Sequence, residues 1–321
     1  MVKKAELHVH LEGTATPALV KKLAAENGAE LDPTTFKSDG EFLWTDFWEF
    51  LKCYDKAAAA IRSKSDYQAV TYDYLRRCAA EDVIYVETFS SPDHAATAGI
   101  SYEDHLEGIA AGIDQARLDF GIEARIIVTC VRHLGAQSAL KIADKFVSSP
   151  HPYVVGFGMG GDEAMFHPKD FAPAFNLVHE AGFSTTNHAG EFGGPSSIRD
   201  TLNHLPVQRI GHGVRAIEDP ALVEELASRQ IPLEICPGSN ISTGLYKNYE
   251  EHPFNRLMQA GCVTTISSDD PPFFATSVGN EYEKVAKAFD YDDQMLRNIT
   301  LNSINAAFCD DDLKQKLISS L

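Results

Sequence analysis

Apolar and polar positions along this chain fall into two alternating patterns. Short apolar or β-branched runs ending in small or functional residues occur at 4–10 (KAELHVH), 83–89 (VIYVETF), 124–131 (ARIIVTCV) and 154–161 (VVGFGMGG). Four more follow at 184–191 (STTNHAGE), 209–213 (RIGHG), 232–237 (PLEICP) and 263–270 (VTTISSDD). All eight read as strands. Between them lie stretches with helical spacing, among them 102–121, 171–182 and 221–230, and Gly121 and Gly182 fall where helix C-terminal stops belong. Strands alternating with helices in this number predict an α/β fold, a closed parallel (β/α)8 barrel of TIM type rather than an open sheet. No repeat, low-complexity tract or linker interrupts the pattern, so residues 1–321 are expected to form a single barrel domain.

The first and second strands are separated by far more residues than one crossover helix needs. Within this insert, residues 44–62 (WTDFWEFLKCYDKAAAAIR) bring Phe47, Phe50, Leu51 and Tyr54 near one helical face. One reading is a helix packed on the barrel. The other is a helical lid over a pocket mouth, since insertions at the C-terminal ends of barrel strands often close active sites.

Those C-terminal ends are also where barrels assemble their chemistry. Strand one ends in His8 and His10, strand five in His188 and then Glu191, strand six in His212, and strand eight in Asp269 and Asp270. Spacing i, i+2 sends His8 and His10 to the same face. Singly, each residue has a bland explanation: a lone histidine as a packed core residue, an Asp pair as a turn or helix cap. Together on one rim they are the residue types of a metal-assisted hydrolase. Three neutral imidazoles and a carboxylate suit a zinc ion with a place left for water, and His8, His10, His188 and Asp269 are the expected ligands. The end of strand four, GFGMGGDE, carries no lysine to bridge a second ion, so one metal per chain is expected. A metal lowers the pKa of its water from about 15.7 towards roughly 7. His212 is then placed to orient that water or accept its proton, Glu191 to deliver a proton, and Asp270 to hold a substrate N–H. The remaining histidines, His94, His105, His133, His151, His167, His179, His204 and His252, fall mainly in helices or loops and are assigned no role.

Composition narrows the partners. With 44% apolar and 23% charged residues the chain belongs among soluble globular proteins. The net charge of −18 disfavours nucleic acid and anionic membranes, and in its plainest reading keeps a cytoplasmic enzyme soluble. Six cysteines without a CxxC pair, no basic-then-apolar N-terminus and no run of about eighteen apolar residues point to a reducing, intracellular compartment.

Across nearly its whole length, through ELHVHLEG, VVGFGMGGDE, NHAGE, RIGHG, EICPGSN and SSDDP in this order, the chain resembles the adenosine and adenine deaminases of the amidohydrolase superfamily. The resemblance implies hydrolytic loss of the exocyclic amine of a 6-aminopurine. It implies zinc on His8, His10, His188 and Asp269, and Glu191 protonating N1 as metal-activated water attacks C6. His212 would position and help deprotonate that water, Asp270 would pair with N7, and the Gly161 backbone N–H would donate to N3. The zinc deaminases with His and Cys ligands carry a PCxxC motif that is absent here, so single-stranded nucleic acid is not the implied substrate.

Substrate identity is where the patterns diverge. Glu12 stands where adenosine deaminases usually have an Asp that contacts ribose, and Glu there is common in adenine deaminases. Ser91, in VETFSSPD, resembles the SP element near the sugar end of the adenosine enzymes, and the aromatic insert with Phe47, Phe50 and Tyr54 resembles their lid. FGMGGDE departs from the usual IDLAGDE, and CPGSN from CPTSN. The expectation is deamination of adenosine or deoxyadenosine to inosine or deoxyinosine. The alternatives are adenine to hypoxanthine, or a modified or N6-substituted adenine. Further off lie ring opening of a cyclic amide and a purine-binding barrel without activity.

Overall fold

In the computed structural model, which describes residues 2–38 and 40–321, eight strands pair side by side in chain order. They are β1 (Lys4–His10), β2 (Val83–Ser90), β3 (Glu123–Val131), β4 (Val154–Gly160), β5 (Ser184–Ala189), β6 (Arg209–His212), β7 (Leu233–Ile235) and β8 (Thr264–Ile266). Each pairs with the next in parallel. Beyond β8 the chain returns to β1: Val9 bridges Asp269 in parallel, and Leu7 and His8 donate their backbone N–H groups to the Ser267 hydroxyl. The sheet thus closes into the expected TIM-type barrel, with helices between successive strands. Burial on both faces explains the nearly continuous apolar runs. In β1, for example, Ala5 and Leu7 pack outward against Ile304, Ala307 and Leu313 of the C-terminal helices.

The helices form where the pattern placed them. Tyr102–Phe120 starts on Ser101, whose hydroxyl accepts from the Asp104 N–H, and stops at Gly121 in a left-handed conformation (φ 75°). Ala172–Glu180 falls within its expected window, and Pro220–Arg229 begins one residue ahead of the other.

Several strands are shorter than the sequence pattern implies. β5 ends two residues before Glu191, and β8 ends three residues before Asp269. At β5 and β6 the backbone supplies the reason: Gly190 (φ 73°) and His212 (φ 58°) are left-handed and the two ladders stop there, while Asp269 (φ 66°), also left-handed, lies beyond the end of β8 and is bridged to Val9. The chain turns at these residues and aims the next side chains across the barrel mouth.

The insert after β1 runs through helices Pro17–Glu26 and Phe47–Ala58 before Lys64–Ala80 leads into β2. Asp46 caps Phe47–Ala58 by accepting the Glu49 N–H at 3.0 Å. The helix rests on aromatic rings from other rim loops. Phe47 meets Phe192 at 4.3 Å between centroids, and Phe50 meets Phe274 at 5.0 Å. Packing on the barrel and covering the pocket are therefore one arrangement. All six cysteines are buried free thiols, and among the described residues no helix is long and apolar enough to cross a membrane.

Candidate functional site

At the C-terminal rim, ligand atoms of His8, His188, His212 and Asp269 lie within 4.8 Å of one another, all four residues buried, and His10 forms an overlapping group with Asp269 and Asp270. His10 Nε2 approaches His188 Nε2 to 3.1 Å and Asp269 Oδ1 to 3.3 Å. His8 Nε2 is 3.6 Å from the same oxygen, and His212 Nε2 is 4.0 Å from Asp269 Oδ2. Ser239 donates its hydroxyl to Asp269 Oδ2 at 2.7 Å.

His8 is fixed in one tautomer. Its Nδ1–H donates to Glu234 Oε2 at 2.8 Å, which leaves Nε2 a bare lone pair, buried and without a partner. Glu234 in turn accepts from Arg209 at 2.5 Å and Thr186 at 2.9 Å, and Arg209 reaches Glu87 at 2.6 Å. Burial opposes the Glu234 charge, but Arg209 and His8 outweigh it and hold the carboxyl at about 2. A buried lone pair converging with other imidazoles on a carboxylate fits a divalent cation, and a carboxylate behind the histidine is the usual support for such a ligand. The seat needs a bare backbone beside it: a Cβ on Gly211 would lie 2.9 Å from His8 Cε1.

Across the site, Glu191 and Asp270 are the acids. Burial, then the charges of Asp269, Glu163 and Asp270, pushes the Glu191 carboxyl well above the usual carboxylate range. Burial and then Asp269 do the same to Asp270, whose Oδ1 has no partner. Gly13 makes room for that group, since a Cβ there would overlap Asp270 Oδ1 at 1.7 Å. His212 Nε2 lies 3.6 Å from Glu191 Oε2, and burial, assisted by His8 and His10, brings the ring down to about 3 against the pull of Asp269. Both acids are thus poised as proton donors and His212 as a neutral ring.

The loop that carries Glu191 is held by Glu163. Its carboxylate accepts the backbone N–H groups of Gly190, Glu191, Phe192 and Gly193 at 2.5, 3.1, 2.8 and 2.7 Å, and the Ser197 hydroxyl at 2.5 Å.

A cavity opens from this centre beneath the insert. Its walls include His10, Glu12, Phe47, Phe50, Tyr54, Ser91, Gly161, His188, Glu191, His212, Asp269 and Asp270, so every sequence-derived residue but His8, which is fully buried, converges on one space. Gly161 lines it in a conformation with φ 99°. Glu12, 2% exposed, is bound within the protein. Oε1 accepts from the Ser90 hydroxyl at 2.7 Å, the Ser91 backbone N–H at 3.3 Å and the Tyr67 hydroxyl at 3.3 Å, and Oε2 accepts from Tyr54 at 3.3 Å. The Ser91 side chain itself caps helix Pro92–Thr97 by accepting the Asp93 N–H at 3.2 Å, so the serine hydroxyl on Glu12 belongs to Ser90. Among the described lining residues there is no Lys or Arg, while His94 and His133, assigned no role from sequence, line the wall.

Ser90, Glu163, Glu234, Asn240 and His252 complete the site without having been marked by the sequence pattern. Glu163, Glu234 and Asn240 stood inside the motifs VVGFGMGGDE and EICPGSN, which was the only signal available.

Comparison with known proteins agrees with this geometry. The family model described as adenosine deaminase matches residues 3–321. An adenine deaminase of Chelativorans sp. is 46% identical over 321 residues, covering 100% of this chain and 98% of that relative. The crystal structure of an adenine deaminase from Arthrobacter aurescens superposes with a TM-score of 0.92 at 30% identity, over 99% of this chain and 98% of the other. An amidohydrolase from Burkholderia ambifaria with bound Zn gives a TM-score of 0.90 at 27% identity, over 99% of this chain and 89% of the other.

Proposed function

We propose, on the premise that this chain belongs to the adenosine deaminase family and hydrolyses C–N bonds of cyclic amidines, that its substrate is free adenine, converted by water to hypoxanthine and ammonia. His8, His10, His188 and Asp269 would hold one zinc ion, the metal bound by the amidohydrolase of similar fold. When bound, such an ion acts as a Lewis acid that brings the pKa of water towards roughly 7.

The chain's own groups do the rest. Glu191, protonated because it is buried among Asp269, Glu163 and Asp270, delivers its proton to the purine N1 as oxygen adds to C6. Asp270, also protonated, donates to N7, and the Gly161 N–H faces N3. His212 orients the attacking oxygen. The C6–N6 bond breaks: one proton of the water returns to Glu191, replacing the one given to N1, and the other leaves on the departing ammonia. Fixed donors meet charge where it develops, and the lid with Phe47, Phe50 and Tyr54 keeps bulk water out.

The observation that carries the choice of free base is Glu12. A carboxylate offers about four lone-pair positions. Here three donors occupy Oε1 and Tyr54 occupies part of Oε2, which leaves too little to receive the paired hydroxyls of a ribose. The absence of Lys and Arg among the described lining residues disfavours a nucleotide phosphate. The expectation of a nucleoside therefore gives way to adenine, a reading that the adenine deaminases at 46% and 30% identity support. The test is product analysis with zinc-loaded protein: adenine should yield hypoxanthine and an equal amount of ammonia. No ammonia from adenine, under conditions where adenosine is converted, would reverse the assignment.

A further inference from the structure

Asn240 sits between the two proton-handling side chains, Glu191 and His212, and is itself held by the buried His252. This string of hydrogen bonds has one unambiguous end. The backbone N–H of Phe254 can only donate, and it points at His252 Nδ1 at 3.2 Å. That nitrogen is therefore an acceptor, and the proton of the neutral ring is on Nε2. Burial pushes His252 down to about 3, so the ring is neutral. Its Nε2–H donates to Asn240 at 3.2 Å, which identifies the receiving atom as the amide oxygen. The amide nitrogen then has two protons to give, one to Glu191 Oε1 at 3.3 Å and one to His212 Nδ1 at 3.4 Å.

His212 Nδ1 is thus an acceptor, and its ring proton is on Nε2. That atom faces Glu191 Oε2 at 3.6 Å and Asp269 Oδ2 at 4.0 Å. A nitrogen carrying a proton has no lone pair for a metal, so the tautomer also selects between the two candidate third imidazoles in favour of His10.

We propose that Asn240, oriented by His252, is a positioning residue that holds His212 with Nε2–H directed into the site, where His212 donates a hydrogen bond to the attacking oxygen and neither ligates the metal nor takes the first proton. The part played in turnover rests on the deaminase reading; the tautomer is independent of it. Asn240→Asp is the informative change. It conserves shape but replaces the donor by an acceptor, so the His212 proton is drawn to Nδ1 and Nε2 loses its hydrogen.

The experiment is nitrogen-15 NMR of histidine-labelled, zinc-loaded full-length protein, with His212 identified by the signals lost in His212→Gln. The expected spectrum has a protonated Nε2 and an unprotonated Nδ1 on His212, exchanged in Asn240→Asp. With adenine, Asn240→Asp and His252→Phe should lower kcat by at least about tenfold with KM within about threefold, while His252→Gln, which retains an N–H donor, should recover most of the loss. A wild-type His212 protonated on Nδ1 overturns the proposal and requires no variant to fold. A swapped tautomer in Asn240→Asp with kcat less than tenfold reduced overturns the catalytic part. A wild type that converts no adenine overturns the adenine reading alone, and the spectrum still decides the tautomer.

Discussion

The backbone N–H of His10 donates to the carbonyl of Asp269 at 3.0 Å, and the side chains of the same two residues meet at 3.3 Å between Nε2 and Oδ1. Asp269 returns a bond from its own N–H to the carbonyl of His8 at 3.1 Å. The seam that closes the barrel and the candidate metal centre are therefore built from one set of residues. A cation bound there ties the end of β8 to β1, and an ion that binds only the folded state stabilises it by mass action, about 2.7 kcal/mol at a hundredfold excess over Kd. Stripping metal with a chelator should lower Tm and abolish adenine turnover, and zinc should restore both. Asp269→Ala should show a Tm that zinc does not raise. Thermal denaturation with and without zinc checks this, and a Tm indifferent to metal in the unaltered protein would count against the centre.

Glu191→Gln should lower kcat by roughly 10²–10⁴-fold while adenine still binds, because the substituted amide cannot supply a proton to N1. The pH dependence has a definite sign. Glu191 is pushed above the ordinary carboxylate range by burial and by the charges around it, which favours its protonated form, and kcat/KM should fall as pH rises through its folded-state value. Steady-state rates across pH test this directly. The same descending limb in Glu191→Gln would assign it to another group.

Glu163 touches no substrate atom in this account, yet four backbone N–H groups from 190–193 converge on its carboxylate. Glu163→Gln replaces one acceptor oxygen by a donor and removes the charge. Hydrogen bonds to charged groups contribute about 1.5–3 kcal/mol each, so a loss of stability of about 2 kcal/mol or more is expected, together with a lower kcat as Glu191 loses its fixed position. Denaturant unfolding and kcat on the same preparation separate the two effects. Unchanged kcat would mean that the loop holds itself.

Acid should destabilise the fold in part through His105. Burial lowers its folded value to about 4 from the ordinary 6.5, so between those pH values the unfolded chain binds the extra proton. Its contribution to stability is intact above pH 6.5 and is lost as pH falls towards 4, at up to about 1.4 kcal/mol per pH unit. In His105→Gln that slope should be shallower by close to one proton. Unfolding free energies at several pH values between 4 and 7 measure it, and an unchanged slope would contradict the assignment.

The number of strands, their parallel order and the rim residues were readable from the sequence because each depends on local periodicity followed by a chemically distinctive residue. The exact strand ends were not. Left-handed turns at His212 and Asp269 carry no composition signal, since the usual marker of that conformation is glycine. Nor was the Ser90 contact: β2 continues through Ser90, whose hydroxyl reaches Glu12, while Ser91 caps the next helix and gives Glu12 its backbone N–H. His252 read as a loop histidine because its partner Asn240 is brought to it only by the fold, and Glu87, Arg209 and Glu234 come together from three separate strands. Contacts of this kind are set by closure of the barrel, and no local pattern encodes them.

The most direct measurement is kcat/KM for adenine and adenosine, side by side, on one zinc-loaded preparation. With Glu12 committed to Ser90, Ser91, Tyr54 and Tyr67, adenine should be preferred by at least about a hundredfold, the scale on which a site rejects hydroxyls it cannot satisfy. Equal use of the two substrates, or preference for adenosine, would contradict the account and mean that the Glu12 network opens to receive a sugar.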